Sequence, residues 1–124
     1  LVFIFADLDG FKKVNDSLGH AVGDQVLKFF GEISALNFRK TDVAARYGGD
    51  EFVFILTNSS LQSAQRVIKR LETQFLEWAT TLNIHVGFSY GIRVVENEEA
   101  DLDDIMKDVD DALYAEKKGK GRAI

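Results

Sequence analysis

Cysteine and proline are both absent from the 124 residues. Without cysteine there is no disulfide, no zinc–thiolate site and no thiol nucleophile. Without proline there is no Pro-rich linker to part the chain into domains, and neither an internal repeat nor a low-complexity segment interrupts it. Long apolar runs are missing too. The opening Leu1-Val2-Phe3-Ile4-Phe5-Ala6 is far too short for a membrane span and lacks the basic start of a signal peptide. Positive charge is in deficit: the formal net charge of −5 argues against a broad footprint for nucleic acid, although not against a nucleotide that arrives with metal ions.

What is present is the composition of an ordinary globular protein, 46% hydrophobic and 28% charged, in a length that makes one domain over residues 1–124 with a core of its own. The chain begins abruptly in what reads as a strand, so a fragment of a longer protein is expected.

Residues 1–6 form an apolar run ending at Asp7, most simply a buried strand. From Val22, apolar residues return at Val26, Phe29, Phe30, Ile33 and Leu36, which is helical spacing. Residues 42–47 and 51–57 read as strands joined at Gly48-Gly49, the dipeptide of a tight two-residue hairpin that needs positive φ. Leu61, Ala64, Val67, Ile68, Leu71, Phe75 and Trp78 mark a second amphipathic helix and assign Trp78 to its core stripe. Ile84, Val86 and Phe88 share one face of a strand over 84–95, which leaves His85 exposed. Leu102, Ile105, Met106, Val109, Ala112 and Leu113 predict a last helix. The order β-α-β-β-α-β-α predicts an α/β (α+β) domain, a central sheet covered by helices.

Chemistry gathers at two acidic spots. Asp7-Leu8-Asp9 stands at the C-terminal end of the first strand, where open α/β sheets tend to hold their sites. Asp50-Glu51 begins the strand after the glycine pair. Carboxylates are costly to bury unless paired or bound to a cation. If the first strand lies beside the hairpin, Asp7 and Asp50 can share hard divalent ions, which prefer oxygen ligands. Taken alone, Asp7 and Asp9 are more simply caps of the following helix.

The segments "DLDGFKKVNDSLGHAVGDQVL", "RYGGDEF", "SYG" and "DVDDALYAEKKGKGR" occur in this order. Together they resemble the GGDEF family of diguanylate cyclases over essentially the whole chain. The resemblance implies a palm-like fold related to nucleotidyl cyclases, with a mainly antiparallel central sheet flanked by helices. It implies condensation of two GTP into cyclic di-GMP, each member of an antiparallel homodimer holding one GTP, with two Mg²⁺ (or Mn²⁺) per site. Metal ligands fall on Asp7, the Leu8 carbonyl and Asp50, with Asp50 promoting deprotonation of the attacking 3′-hydroxyl and Glu51 supporting the cluster. Phe11 and Lys12 fall at the phosphate-contacting start of the first helix. Guanine recognition falls on Asn15 and Asp24, since an amide offers donor and acceptor while a buried carboxylate accepts from N1–H and the 2-amino group. His20 either shapes that pocket or caps a turn. Gly48 and Gly49 would let the triphosphate approach the turn closely.

The C-terminal motif departs from the family's usual form, so the phosphate-binding cation is Lys117 in one register, and in the other Lys120 takes the arginine position. Arg39-Lys40-Thr41-Asp42 matches the "RxxD" pattern of an inhibitory product site, with Arg70 as a supporting cation; at a helix end Arg39 could also serve the dipole alone. The family's usual helix and "DxLT"-type turn ahead of the first strand are not in this sequence. A catalytically silent module sensing GTP or cyclic di-GMP, or a structural pairing module within a larger regulator, are the alternatives. The resemblance implies a cytoplasmic domain, with any membrane attachment through segments not included here and no nucleic-acid partner.

Overall fold

The computed structural model describes residues 1–96 together with Asp104, Lys107 and Asp111. The apolar stripe expected of a last helix, and both Lys117 and Lys120, lie outside the described residues. Elements run β1 (Val2–Asp9), α1 (Phe11–Leu18), α2 (His20–Asn37), β2 (Val43–Arg46), β3 (Glu51–Leu56), α3 (Leu61–Thr81) and β4 (Gly87–Val94). The strands form one sheet in the order β2-β3-β1-β4, antiparallel at every pairing. The α+β architecture read from the sequence is the one found.

β1 sits at the centre because its apolar run can be buried on both faces. Its period of two sends Val2, Ile4, Ala6 and Leu8 to the main core, and Phe3 and Phe5 to the other face with Val53 and Ile55. α1, α2 and α3 each contribute to the main core, α1 through Val14, α2 through Val26, Phe30 and Ile33, and α3 through Ala64, Ile68, Leu71 and Phe75. Phe30 is fully buried, with ring centroids 4.6 Å from Phe52 and 5.2 Å from both Phe75 and Phe88. Truncating such an anchor to alanine costs roughly 3–5 kcal/mol. Trp78 stacks on Phe29 at 4.2 Å along the edge of this core, as the spacing predicts. His85 is exposed, although the strand expected over 84–95 begins only at Gly87 and His85 stands ahead of it.

Three local expectations need correction. The first strand does not stop before Asp7: pairing with β4 carries it on through Asp7↔Ser89, Leu8↔Phe88 and Asp9↔Gly87. The helical segment before the hairpin is two helices, with α1 preceding α2 and Gly19 between them. α1 buries only Val14, too short a stripe to announce itself as a period. The hairpin loop is Tyr47–Asp50 rather than two glycines, and neither Gly48 nor Gly49 has the positive φ expected of a two-residue turn. Left-handed glycines stand instead at Gly10 and Gly19.

Candidate active site

The β1–β3 register places Asp7 directly opposite Glu51, while the Leu8 N–H donates to the Asp50 carbonyl at 3.0 Å. The two acidic spots, far apart in sequence, therefore meet at one end of the sheet. Asp7 is partly buried, with Oδ1 closed to solvent. Carboxylates facing one another across a ladder repel, and a cation between them would offset that repulsion.

Neither aspartate of β1 caps a helix. Gly10 occupies the cap position of α1 in a left-handed conformation, φ 78°, with no side-chain cap bond. A Cβ there would lie 3.0 Å from the His85 carbonyl, so the turn hugs the segment that leads into β4. Asp9 instead accepts a hydrogen bond from the Ser89 hydroxyl at 2.7 Å.

Beyond this turn, Leu8, Asp9, Gly10, Phe11, Lys12, Lys13, Asp16 and Asp50 line one open cavity of about 480 Å³. Lys12 is exposed at the first turn of α1, where backbone N–H groups also point outward. Asp24 and Arg46 line a second cavity of about 420 Å³ between α2 and the β2–β3 hairpin. Asp24 is exposed, which corrects the expectation of a buried carboxylate. His20 is exposed at the first residue of α2. Asn15 is half-buried, its amide lying against Gly23: a Cβ built on Gly23 would overlap Asn15 Oδ1 and come within 2.9 Å of its Cγ.

The hairpin loop is held from one side. Arg46 donates from Nε to the Gly48 carbonyl at 3.0 Å and to the Gly49 carbonyl at 3.1 Å, and from Nη2 to Gly49 at 2.7 Å. The Tyr47 N–H donates to the Glu51 carbonyl at 2.8 Å, closing the loop. A Cβ on Gly48 would lie 3.3 Å from Glu51 Oε2, whereas one on Gly49 would meet nothing within 4 Å. Close approach to Glu51, rather than backbone handedness, is what the first glycine supplies. Sequence reading passed over Arg46; its place just before the glycine pair, within reach of the carbonyls two and three residues on, was the available signal.

Arg39, Asp42 and Arg70 lie away from this end. Arg39 donates to Asp42 from its backbone N–H at 2.8 Å, and its guanidinium pairs with Asp42 at 3.4 Å while also reaching the Thr57 carbonyl and, at 2.8 Å, Ser59 Oγ. Arg70 donates from Nε to Asn37 Oδ1 at 2.6 Å, tying α3 to the end of α2. Arg39 thus anchors the α2–β2 connection through side chains as well as standing near a helix end.

Among the described residues, no group of three or more His, Cys, Asp and Glu side chains gathers as a metal cluster. The carboxylates brought to this end of the sheet, Asp7, Asp50 and Glu51, nevertheless are of the kind that suits a hard cation such as Mg²⁺. Such ions commonly take one or two carboxylates and complete their shell with water and substrate phosphate.

Residues 1–123 match the family described as "Diguanylate cyclase, GGDEF domain". The chain is 37% identical over 124 residues to the probable diguanylate cyclase DgcE of Escherichia coli (strain K12), covering 96% of this chain and 11% of that protein. It is 33% identical over 126 residues to the response regulator PleD of Caulobacter vibrioides (strain NA1000 / CB15N), covering 98% of this chain and 28% of that protein. The chain therefore spans only a small part of these relatives. Among solved structures, it superposes on the active GGEEF domain of a diguanylate cyclase from Vibrio cholerae with a TM-score of 0.86 and 29% identity, over 95% of this chain and 76% of that one. The GGDEF domain of DgcB from Caulobacter crescentus, in complex with c-di-GMP, gives a TM-score of 0.80 and 26% identity over 95% and 72%. Sequence and fold agree along the same span, and the chain belongs to the GGDEF-domain family of diguanylate cyclases.

Proposed function

We propose that this domain condenses two GTP into cyclic di-GMP with release of two pyrophosphates, working as a homodimer in which each copy holds one GTP. The observation that carries the reading is the β1–β3 register, which sets Asp7 against Glu51 and hydrogen-bonds Leu8 to Asp50 at 3.0 Å. Asp7, the Leu8 carbonyl and Asp50 would hold Mg²⁺ or Mn²⁺, two per site. When bound, such ions neutralise phosphate charge and lower the pKa of a coordinated hydroxyl.

The chain's own groups supply position. Asp50 orients the 3′-hydroxyl of the GTP it holds, and Glu51 supports the same acidic group. Lys12 and the free N–H groups at the start of α1 meet the triphosphate, with Phe11 beside them in the cavity wall. Gly48 and Gly49 keep the loop low where the nucleotide passes. Asn15 and Asp24 read the guanine edge, with His20 near the start of the same helix, and Lys117 or Lys120 adds a cation to the phosphates. In each half-reaction the 3′-oxygen bonds to the partner nucleotide's α-phosphorus, the bond to pyrophosphate breaks, and the hydroxyl proton leaves. Because GTP is the substrate, the domain would work in the cytoplasm; no described helix is long and apolar enough to cross a membrane. Arg39, Asp42 and Arg70 would form an inhibitory site for cyclic di-GMP, since the Arg39 side chain remains 56% exposed despite its ion pair.

The direct experiment is incubation of the chain at high concentration with GTP and Mg²⁺, with the product identified by mass spectrometry. Cyclic di-GMP is the expected product. Asp50→Ala should lower its formation by roughly a hundredfold or more with circular dichroism unchanged. Undiminished turnover in that variant would remove Asp50 from the chemistry.

A further inference from the structure

Glycine inside a helix is destabilising relative to alanine, because it has more backbone freedom to lose. α2 nevertheless carries two, Gly23 and Gly31, and their surroundings differ. A Cβ on Gly31 would meet nothing within 4 Å, so that site is open. A Cβ on Gly23 would collide with the Asn15 side chain, overlapping Oδ1 and lying 2.9 Å from Cγ and 3.5 Å from Nδ2. Gly23 is buried in a segment whose neighbours Ala21, Asp24 and Gln25 are exposed, so what covers it is local. Asn15 Oδ1 occupies the space a methyl group would need, with Cγ crowded behind it and Nδ2 at ordinary contact distance. The Asn15 backbone carbonyl accepts the Gly19 N–H at 3.0 Å, so the backbone that carries the amide is held near the end of α1 and it is the side-chain torsions that must yield.

We propose that Gly23 is a positioning residue for base recognition: its missing side chain is the seat that holds the Asn15 amide next to Asp24. The two groups assigned to the base come from different helices, and the seat is what fixes the first relative to the second. A side chain at Gly23 would drive the Asn15 amide off its rotamer and away from the base edge, while Asp24, on the neighbouring residue, stays where it is. This inference rests on the assignment of Asn15 and Asp24 to guanine under the proposed function.

The experiment compares Gly23→Ala, Gly31→Ala, Asn15→Ala and the double variant Asn15→Ala/Gly23→Ala, by urea denaturation and by calorimetric titration with GTP and ATP. Gly31→Ala should raise the urea midpoint, as expected of alanine replacing an uncrowded helical glycine. Gly23→Ala should lower the midpoint in the natural chain and raise it once Asn15 has become alanine, because only the clash with the amide opposes the gain in helix propensity. GTP should bind Gly23→Ala at least roughly tenfold more weakly, the loss of about one well-placed hydrogen bond, with ATP affinity unmoved. The double variant, which carries no clash, should bind GTP as Asn15→Ala alone does. A Gly23→Ala chain that binds GTP like the natural one, or whose midpoint rises in both backgrounds, overturns the proposal. If Asn15→Ala weakens GTP binding in that same series, only the seat has failed. If Asn15→Ala also binds GTP normally, the assignment of the base edge has failed with it.

Discussion

The Ser89 hydroxyl is fully buried and donates at 2.7 Å to Asp9, across a ladder that joins residues 80 apart in sequence. Asp9 closes β1 immediately before the left-handed Gly10, so this bond and the close approach of Gly10 to His85 pin the same turn to β4. Hydrogen bonds to charged groups contribute more than neutral ones, and Ser89→Ala is expected to destabilise the fold by about 2 kcal/mol. Ser89→Thr should recover part of that loss if the added methyl is accommodated. The check is the urea midpoint at constant m-value; an unmoved midpoint for Ser89→Ala would show that Asp9 is held by other contacts. At this scale the sequence discloses charges more readily than partners. Asp7 and Asp50 stand out as carboxylates at the ends of apolar strands, where burial calls for a cation or a donor, yet Asp7 alone reads as a helix cap until the longer motifs are taken together. Ser89 gives no comparable signal, and the exposure of Asp24 depends on how α2 meets the hairpin, which no local pattern encodes.

The connection from α2 to the hairpin shows how one element carries two demands. The Asp42 side chain is only 3% exposed and accepts from the backbone N–H groups of Arg39 at 2.8 Å and Thr57 at 3.2 Å, besides its ion pair. Asp42→Ala would leave two backbone donors without that acceptor, and is expected to cost about 2 kcal/mol or more. Arg39→Ala should cost less, because the guanidinium is largely in solvent and exposed ion pairs are worth roughly 0–1 kcal/mol. If Arg39 also serves a product site, the same variant should bind cyclic di-GMP more weakly with GTP affinity unchanged. Calorimetry with both nucleotides separates the two roles, and equal product affinity would leave Arg39 as an anchor alone. Elements themselves were legible wherever a long stripe repeats: α3 over Leu61–Thr81 follows the spacing from Leu61 to Trp78. The α1–α2 break and the four-residue hairpin loop were not, because Val14 alone marks the buried side of α1 and a clamp by Arg46 does the work expected of a left-handed glycine pair.

At the scale of the whole molecule, the sheet order β2-β3-β1-β4 decides where Asp7, Asp50 and Glu51 end up. Alternation shows which residues share a face, but not which strand lies next to which; that choice is made by burying the β1 run on both sides between β3 and β4. Once made, it leaves one such acidic end among the described residues, with Asp7, Asp50 and Glu51 together and the cavity lined by Lys12 adjacent. One such end suits one triphosphate, while a cyclic dinucleotide needs two 3′-oxygens and two α-phosphates brought face to face. Under the proposed function the chemistry would therefore require two copies of the domain, and the rate should depend on how often they meet. Below the dissociation constant of the pair, turnover per chain is expected to rise in proportion to chain concentration, so total rate rises with its square; above it, turnover per chain levels off. Mixing the natural chain with an excess of Asp50→Ala should then suppress activity beyond simple dilution, because most pairs would contain one deficient site. The measurement is initial rate of cyclic di-GMP formation across a dilution series at saturating GTP. Turnover per chain that stays constant through a range in which sedimentation shows the chain to be monomeric would mean that a single copy completes the product, and the paired-site reading would have to be given up.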